Sequence, residues 1–180
     1  PRKPHYANHM TQRQEFQVLR TYKEFELRQY QPCVIAEMKV SAQYSTATSA
    51  AFGSLFRYIS KGNKSSEKIA MTAPVIAAQR AESADSQEWY VSFVMPAGSN
   101  RQRLPDPTDS NVHLRELPAE TCVALSFRGK ATEELSAKKA LELRAAAEKE
   151  KISLSDETRI CRFDAPVKPG FLQYNEIVIP

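Results

Sequence analysis

An α+β fold is predicted: a duplicated β-β-α-β-β chain whose eight strands form a twisted antiparallel, barrel-like sheet flanked by two α-helices. An internal repeat is the first observation behind it. Phe25-Glu26-Leu27-Arg28-Gln29-Tyr30, then Cys33-Val34-Ile35-Ala36-Glu37-Met38, is echoed by Val112-His113-Leu114-Arg115-Glu116-Leu117, then Cys122-Val123-Ala124-Leu125-Ser126-Phe127. Secondly, each copy runs into a segment of helical period, and each such segment into two more strand-like runs: 67–78 and 88–95, then about 158–164 and 172–179. Thirdly, a period of about 87 residues describes a duplicated half-domain, not a solenoid, and a twisted sheet of eight strands curls toward a barrel.

The chain has 180 residues, 42% hydrophobic and 26% charged, enough for one compact core. We expect a flexible N-terminal arm over residues 1–15 and a single domain over 16–180, with pseudo-repeats at about 18–99 and 108–180. No apolar run approaches the roughly 20 residues of a membrane helix, and no secretory apolar segment stands near the start, so a cytoplasmic protein is expected. Cys33, Cys122 and Cys161 are widely spaced and odd in number, which points to buried apolar thiols and not to a disulfide framework or a zinc module.

The net charge of +4 is unevenly placed: residues 1–75 hold 11 Lys and Arg against 5 Asp and Glu, leaving 14 against 16 for the rest. A basic first half suits an anionic partner. Finger spacings, aromatic RNA-binding motifs and dense basic runs are all missing, so no nucleic-acid partner is expected.

In chain order, the arm carries Pro4, His5 and His9. The two histidines have helical metal-ligand spacing, but Pro4 and the polar company argue against a helix. The run Glu67-Lys68-Ile69-Ala70-Met71-Thr72-Ala73-Pro74-Val75 alternates as a strand with a small-residue back, and Pro74, lacking a donor, belongs at an edge, bulge or strand end. Before it, a helix over about Gln43 to Ser60 buries Tyr44, Ala47, Ala51, Leu55, Tyr58 and Ile59 in one stripe. Phe52 and Phe56, one turn apart, fall beside that stripe, where they either close the helix–sheet interface or form one wall of an apolar cleft for a flat ligand. Gly62-Asn63 is read as a left-handed cap. Asn100 to Pro107 links the repeats as a loop.

The second helix, about Thr132 to Glu150, spreads its charges around the cylinder and carries no evident chemistry; Leu135, Leu141 and Leu143 are its large apolar residues. The final loop, Pro166-Val167-Lys168-Pro169-Gly170-Phe171, is stiff. It either closes the barrel or presents Lys168 to an anionic ligand at a cleft mouth.

The nonapeptide at 67–75, the Phe25–Tyr30 motif, the helix segment from Ala51-Phe52 to Tyr58-Ile59, the 166–171 loop and Asn175-Glu176-Ile177 together resemble the SOUL family of heme-binding proteins over roughly residues 18–180. That resemblance implies the same architecture, and heme or another tetrapyrrole as ligand, an anionic partner lying on an apolar patch of the first helix. It implies ring contacts from Phe52 and Phe56 and propionate contacts from Arg57 and Lys168, with Phe171 a further candidate. Ser49 stands where the family has an arginine. Gln29 stands where one branch has an axial histidine, so no metal ligand is carried over. Among other groups, Cys33, Tyr30 and Tyr58 retain ligating chemistry, whereas the alternation turns His113 outward.

No catalytic residues are assigned. The chain lacks a nucleophile elbow, a zinc-protease pair, a phosphate loop and a dinucleotide fingerprint. The reading is a soluble noncatalytic carrier, buffer or sensor of a tetrapyrrole. Two alternatives stand beside it: a broad-specificity effector-binding domain like those of bacterial multidrug regulators, and a groove for a peptide helix.

Overall fold

The computed structural model describes residues 11–80, 87–165 and 167–180. Two strands, β1 (Gln12–Arg13) and β2 (Phe16–Thr21), precede the repeats. The first repeat supplies β3 (Glu26–Tyr30), β4 (Cys33–Ser41), α1 (Tyr44–Ile59), β5 (Thr72–Ala73), β6 (Val75–Gln79) and β7 (Glu88–Val94). The second supplies β8 (His113–Leu117), β9 (Glu120–Arg128), α2 (Glu133–Lys149), β10 (Thr158–Arg162) and β11 (Tyr174–Ile179). The fold is α+β, a curled antiparallel half-barrel with two helices.

Strand order in the main sheet is β2-β3-β9-β11-β10-β6-β7-β4-β8. Leaving β2 aside, this order is two-fold symmetric about the β6–β10 pair. The first strand of each repeat is exchanged: β3 pairs with β9, Leu27 opposite Val123, and β8 pairs with β4, Leu114 opposite Ala36. Each helix stays with its own repeat, α1 on β4 and β7, α2 on β9 and β11.

Alternation assigns the two faces. Toward the helices point Ala36, Ala77, Val91, Phe93, Val123, Leu125, Ile160, Ile177 and Ile179, packed with the α1 stripe predicted from the sequence and with Leu143, Ala146 and Ala147 of α2. The opposite face buries Tyr30, Ile35, Ile76, Val94, Cys122, Cys161 and Val178, with no helix residue among them. Thr132 caps α2, its hydroxyl accepting from the Leu135 N–H at 3.2 Å.

Three expectations are corrected. The main sheet has nine strands, not eight, because β2 joins as an edge on β3. It was illegible because Gln17 to Thr21 are all exposed, and a strand buried on neither face does not alternate. The run at 67–78 is not one strand. It divides at Pro74, which follows a cis bond, and β5 leaves the main sheet to pair in parallel with β1. The cap of α1 is also shifted: Lys61, at φ 83°, takes the left-handed position, while the Gly62 N–H donates to the Arg57 carbonyl at 2.7 Å. Gly62 is needed because a Cβ there would collide with that carbonyl oxygen. Of the expected arm, residues 1–10, with His5 and His9, lie outside the described residues. Gln12 and Arg13 are β1.

The face without helices holds two networks of ion pairs. Glu176, 1% exposed, accepts from Arg28 through both oxygens at 2.9 and 3.0 Å, from Arg13 at 2.7 and 2.9 Å, and from the Tyr174 hydroxyl at 2.7 Å. A second series runs Glu120–Arg159–Glu157–Arg80–Glu37–Arg115 from β9 to β8, with contacts between 2.7 and 3.0 Å. Burial alone would raise the Glu176 carboxyl, but Arg13 and Arg28 outweigh it and hold it below the ordinary carboxylate range.

The folded pKa of Glu176 thus lies below its unfolded value. Its contribution is complete above about pH 4.3 and is lost as pH falls through the depressed folded value. Glu176→Gln, which leaves two guanidiniums facing a neutral amide, is expected to cost about 3–5 kcal/mol in urea denaturation at pH 7 and to flatten the acid limb of stability. An unchanged midpoint would refute this. Burial also pushes the Cys122 and Cys161 thiols up to about 12. At pH 8 neither should react with a disulfide reagent until urea unfolds the chain, and prompt reaction of either would contradict the packing described.

Candidate ligand cleft beside the first helix

The helical period dictates what α1 leaves uncovered. Ala47, Ala51, Leu55, Tyr58 and Ile59 are consumed by the core, so Phe52 and Phe56 emerge at the rim, 37% and 47% exposed. Their rings stack with centroids 5.8 Å apart and planes 12° from parallel, and Phe52 meets the ring of Phe93 edge-on at 5.4 Å. Exposing two phenyl rings this far has a cost, since a fully buried phenylalanine is worth about 1.5–3 kcal/mol.

Those rings form one wall of a cavity of about 450 Å³. Thr48 and Ser49 continue that wall, Met71, Thr72, Ala73 and Val75 lie at its base, and Arg162, Phe163, Asp164 and Ala165 stand at the end of β10. Thr11 closes the side toward the N-terminus. The split at Pro74 matters here: β5 swings aside to pair with β1, and the cavity lies between this small pair, α1 and β10. Thr72, from the small-residue back of the predicted strand, and Ala73, from its other face, both line the cavity.

Charge enters chiefly through Arg162. It occupies the helix-side face of β10, two residues beyond Ile160, and makes no hydrogen bond or ion pair among the described residues; Tyr44 offers its ring at 5.9 Å. Of the sequence-predicted residues, Ser49, Phe52 and Phe56 line the cavity together. Arg57, Lys168 and Phe171 do not line it. Arg57 turns back to the Ser54 hydroxyl at 3.1 Å. Lys168 lies behind the far wall, its ammonium 3.0 Å from the carboxylate of cavity-lining Asp164, which also accepts from the Tyr174 N–H at 2.7 Å. Phe171 is 76% exposed on a short 3-10 turn, Gly170–Leu172.

Groups with metal-ligating chemistry lie elsewhere. Gln29 is engaged by the Thr121 hydroxyl at 2.7 Å, and His113 is exposed on β8. The Tyr58 hydroxyl donates to the Pro105 carbonyl at 2.7 Å, with burial raising its pKa to about 12. Tyr30 is buried beside Arg28 on the helix-free face, and Cys33 packs against that same cluster. Among the described residues, Met71 brings the one sulfur to the cavity lining, and no histidine, cysteine or tyrosine lines it. No cluster of three metal-ligating side chains occurs among the described residues. Sequence reasoning missed Arg162 and Met71. Alternation along Thr158, Ile160 and Arg162 carried the signal for the first. The second shares a face of the 67–75 run with Ile69, Ala73 and Val75, and nothing local marked that face as a cavity wall.

A cation without a partner is not part of the scaffold. Arg162→Ala is therefore expected to change stability in urea by no more than about 0.5 kcal/mol. A larger loss would show that the guanidinium supports the fold.

The family described as SOUL heme-binding protein matches residues 11–180. Heme-binding protein 1 of Xenopus tropicalis is 25% identical over 147 residues, which is 81% of this chain and 77% of that protein. Among solved structures, the EcmrR C-terminal domain superposes with a TM-score of 0.65 at 15% identity, over 87% of this chain and 96% of that one. A hydrolase from Listeria innocua superposes with a TM-score of 0.58 at 12% identity, over 88% and 91%. At such identities the structural likenesses concern the fold alone. Among the described residues, no helix is long and apolar enough to cross a membrane.

Proposed function

The chain belongs to the SOUL heme-binding protein family, and from that premise we propose that it is a noncatalytic carrier, buffer or sensor of heme or a related tetrapyrrole held in the cleft beside α1. One observation carries the reading: an apolar cavity has two stacked phenyl rings on one wall and an unpartnered guanidinium on the other. A flat macrocycle places its face on Phe52 and Phe56 and its edge toward Met71 and Val75, where apolar contact is gained without burying a polar group.

Arg162 then takes one propionate by charge-assisted hydrogen bonds. Lys168, held by Asp164, and Arg57, at the rim of the helix, supply the surrounding positive field. Three cations against one carboxylate leave the cleft basic, which favours an anionic ligand over a cationic one. Heme, when bound, brings the ligand-binding and redox chemistry of its own iron. The chain's residues orient the ring and neutralise its carboxylates. Because no imidazole or thiolate lines the cleft among the described residues, affinity rests on the ring face and the propionates, and iron-free porphyrin binds comparably.

Effector-type binding of apolar cations is the competing reading. Such a site calls for a buried carboxylate facing the ligand. Asp164 lines the cleft with a buried side chain, but its carboxylate already accepts from the Lys168 ammonium and the Tyr174 N–H, and Glu176 is committed to two arginines and a tyrosine on the opposite face of the sheet.

Parallel absorbance titrations with hemin and protoporphyrin test the proposal on the wild type and on Arg162→Ala/Lys168→Ala. Each charge-assisted contact is worth about 1.5–3 kcal/mol, so the variant should bind both at least tenfold more weakly. Undiminished binding by the variant would remove the site as described. Preference for a cationic dye over either porphyrin would replace the reading with the effector one.

A further inference from the structure

The two-fold relation between the repeats carries the first cleft into a second place. A cavity of about 330 Å³ lies beside α2. From α1, the first cleft takes Thr48, Ser49, Phe52 and Phe56; from α2, the second takes Ser136, Ala137, Ala140 and Arg144 at the same spacing, with Glu133 and Leu141 in addition. The β6–β10 ladder repeats the correspondence. Arg162 pairs with Val75 at one end and Thr158 with Gln79 at the other, and each cavity uses one of these terminal pairs.

The chemistry of the second cavity differs. Ala140 and Arg144 stand where the phenyl wall would be, so no stacked rings await a macrocycle. Two buried polar groups take their place. Trp89 is 3% exposed and Ser136 1% exposed, both line the cavity, and neither the indole N–H nor the serine hydroxyl has a hydrogen-bond partner among the described residues. A buried donor left unmade is costly, and two at one cavity ask for a common acceptor. The remaining lining is largely apolar, from Ala137, Ala140, Leu141 and Ile160. Leu141 is 70% exposed at the rim, an apolar side chain that covers nothing in the folded chain.

Charge at the wall is balanced. Glu133 and Arg144 both line it, and the Arg144 guanidinium is already committed to the Ser155 and Glu157 carbonyls at 2.9 and 3.3 Å and to the Thr158 hydroxyl at 2.9 Å. Neither calls for a ligand ion. We infer that the cavity beside α2 is a second ligand site, separate from the tetrapyrrole cleft, for a small uncharged molecule with an apolar body and one carbonyl oxygen. That oxygen accepts from the Trp89 indole N–H and the Ser136 hydroxyl. Nothing is required of the first cleft, so the two sites stand or fall separately.

Trp89 is the one tryptophan of the chain, so its emission reports this cavity directly. The test is a fluorescence titration with 4-phenylbutan-2-one and with 4-phenylbutan-2-amine, which keeps the skeleton but replaces the acceptor by a cation. The ketone should give a saturable change, and the amine should bind at least about tenfold more weakly. Ser136→Ala should weaken the ketone, and Ala140→Phe, which fills the cavity, should abolish the response, both with an unchanged circular dichroism spectrum. A titration of Phe52→Ala/Phe56→Ala should retain it. No saturation with the ketone, equal binding of ketone and amine, full binding by Ser136→Ala, or loss of the response only in the double-phenylalanine variant would each overturn the inference.

Discussion

Glu176 has more of the structure resting on it than any other side chain. Its carboxylate lies in the centre of the helix-free face and receives Arg28 from β3, Arg13 from β1 and Tyr174 from its own strand. Arg28 ties in the exchanged first strand of repeat one. Arg13 fixes the N-terminal pair that closes the cleft, with its guanidinium between the rings of Phe16 and Phe163 at 4.7 and 4.4 Å. Phe163 and Thr11 both line that cleft. One buried charge on the far side of the sheet therefore positions part of the cleft wall, and it is tolerable only because every oxygen lone pair it presents is answered.

Much of this was legible in the sequence, for stated reasons. The Leu-Arg and Cys-Val echoes exposed the duplication, and duplication with two helices left few architectures. The 3.6-residue period separated the α1 stripe from Phe52 and Phe56 before any coordinates. What escaped was long-range in origin. The exchange of β3 and β8 leaves each strand's own pattern unchanged, so no local signal marks it. The hydrogen-bond partners of Arg57 and Lys168 depend on Ser54 and Asp164, one on the same helix and one across a loop, and residue type alone could not choose between ligand and neighbour. Arg162 was passed over because a strand-terminal arginine reads as ordinary surface. Only the position of α1 makes it a wall.

The two-fold relation of the strand order makes the difference between the two cavities a matter of side chains. Each has a serine or threonine, a small residue and a strand-end pair. The first has stacked aromatic area and, among the described residues, an unpaired cation; the second has an alanine in place of the first ring and two unanswered hydrogen-bonding groups. A scaffold with two equivalent positions can specialise one without disturbing the other, because each helix packs on its own repeat.

The exchange of first strands has a kinetic side. Glu26 to Tyr30 has Phe16 to Thr21 beside it from the start, but its other edge waits for Glu120 to Ala124, and the edge of Cys33 to Glu37 that faces away from β7 waits for His113 to Leu117. Neither half can complete its hydrogen bonds while the other is missing, so closure of loops spanning half the chain precedes the reward of pairing. Folding of this chain is accordingly expected to be slow for its size, and a nascent first repeat emerges with β4 lacking its outer neighbour. Interlocking of this kind also means that severing the connection at Asn100 to Pro107 would leave two fragments able to recognise each other, each carrying the strand that the other needs.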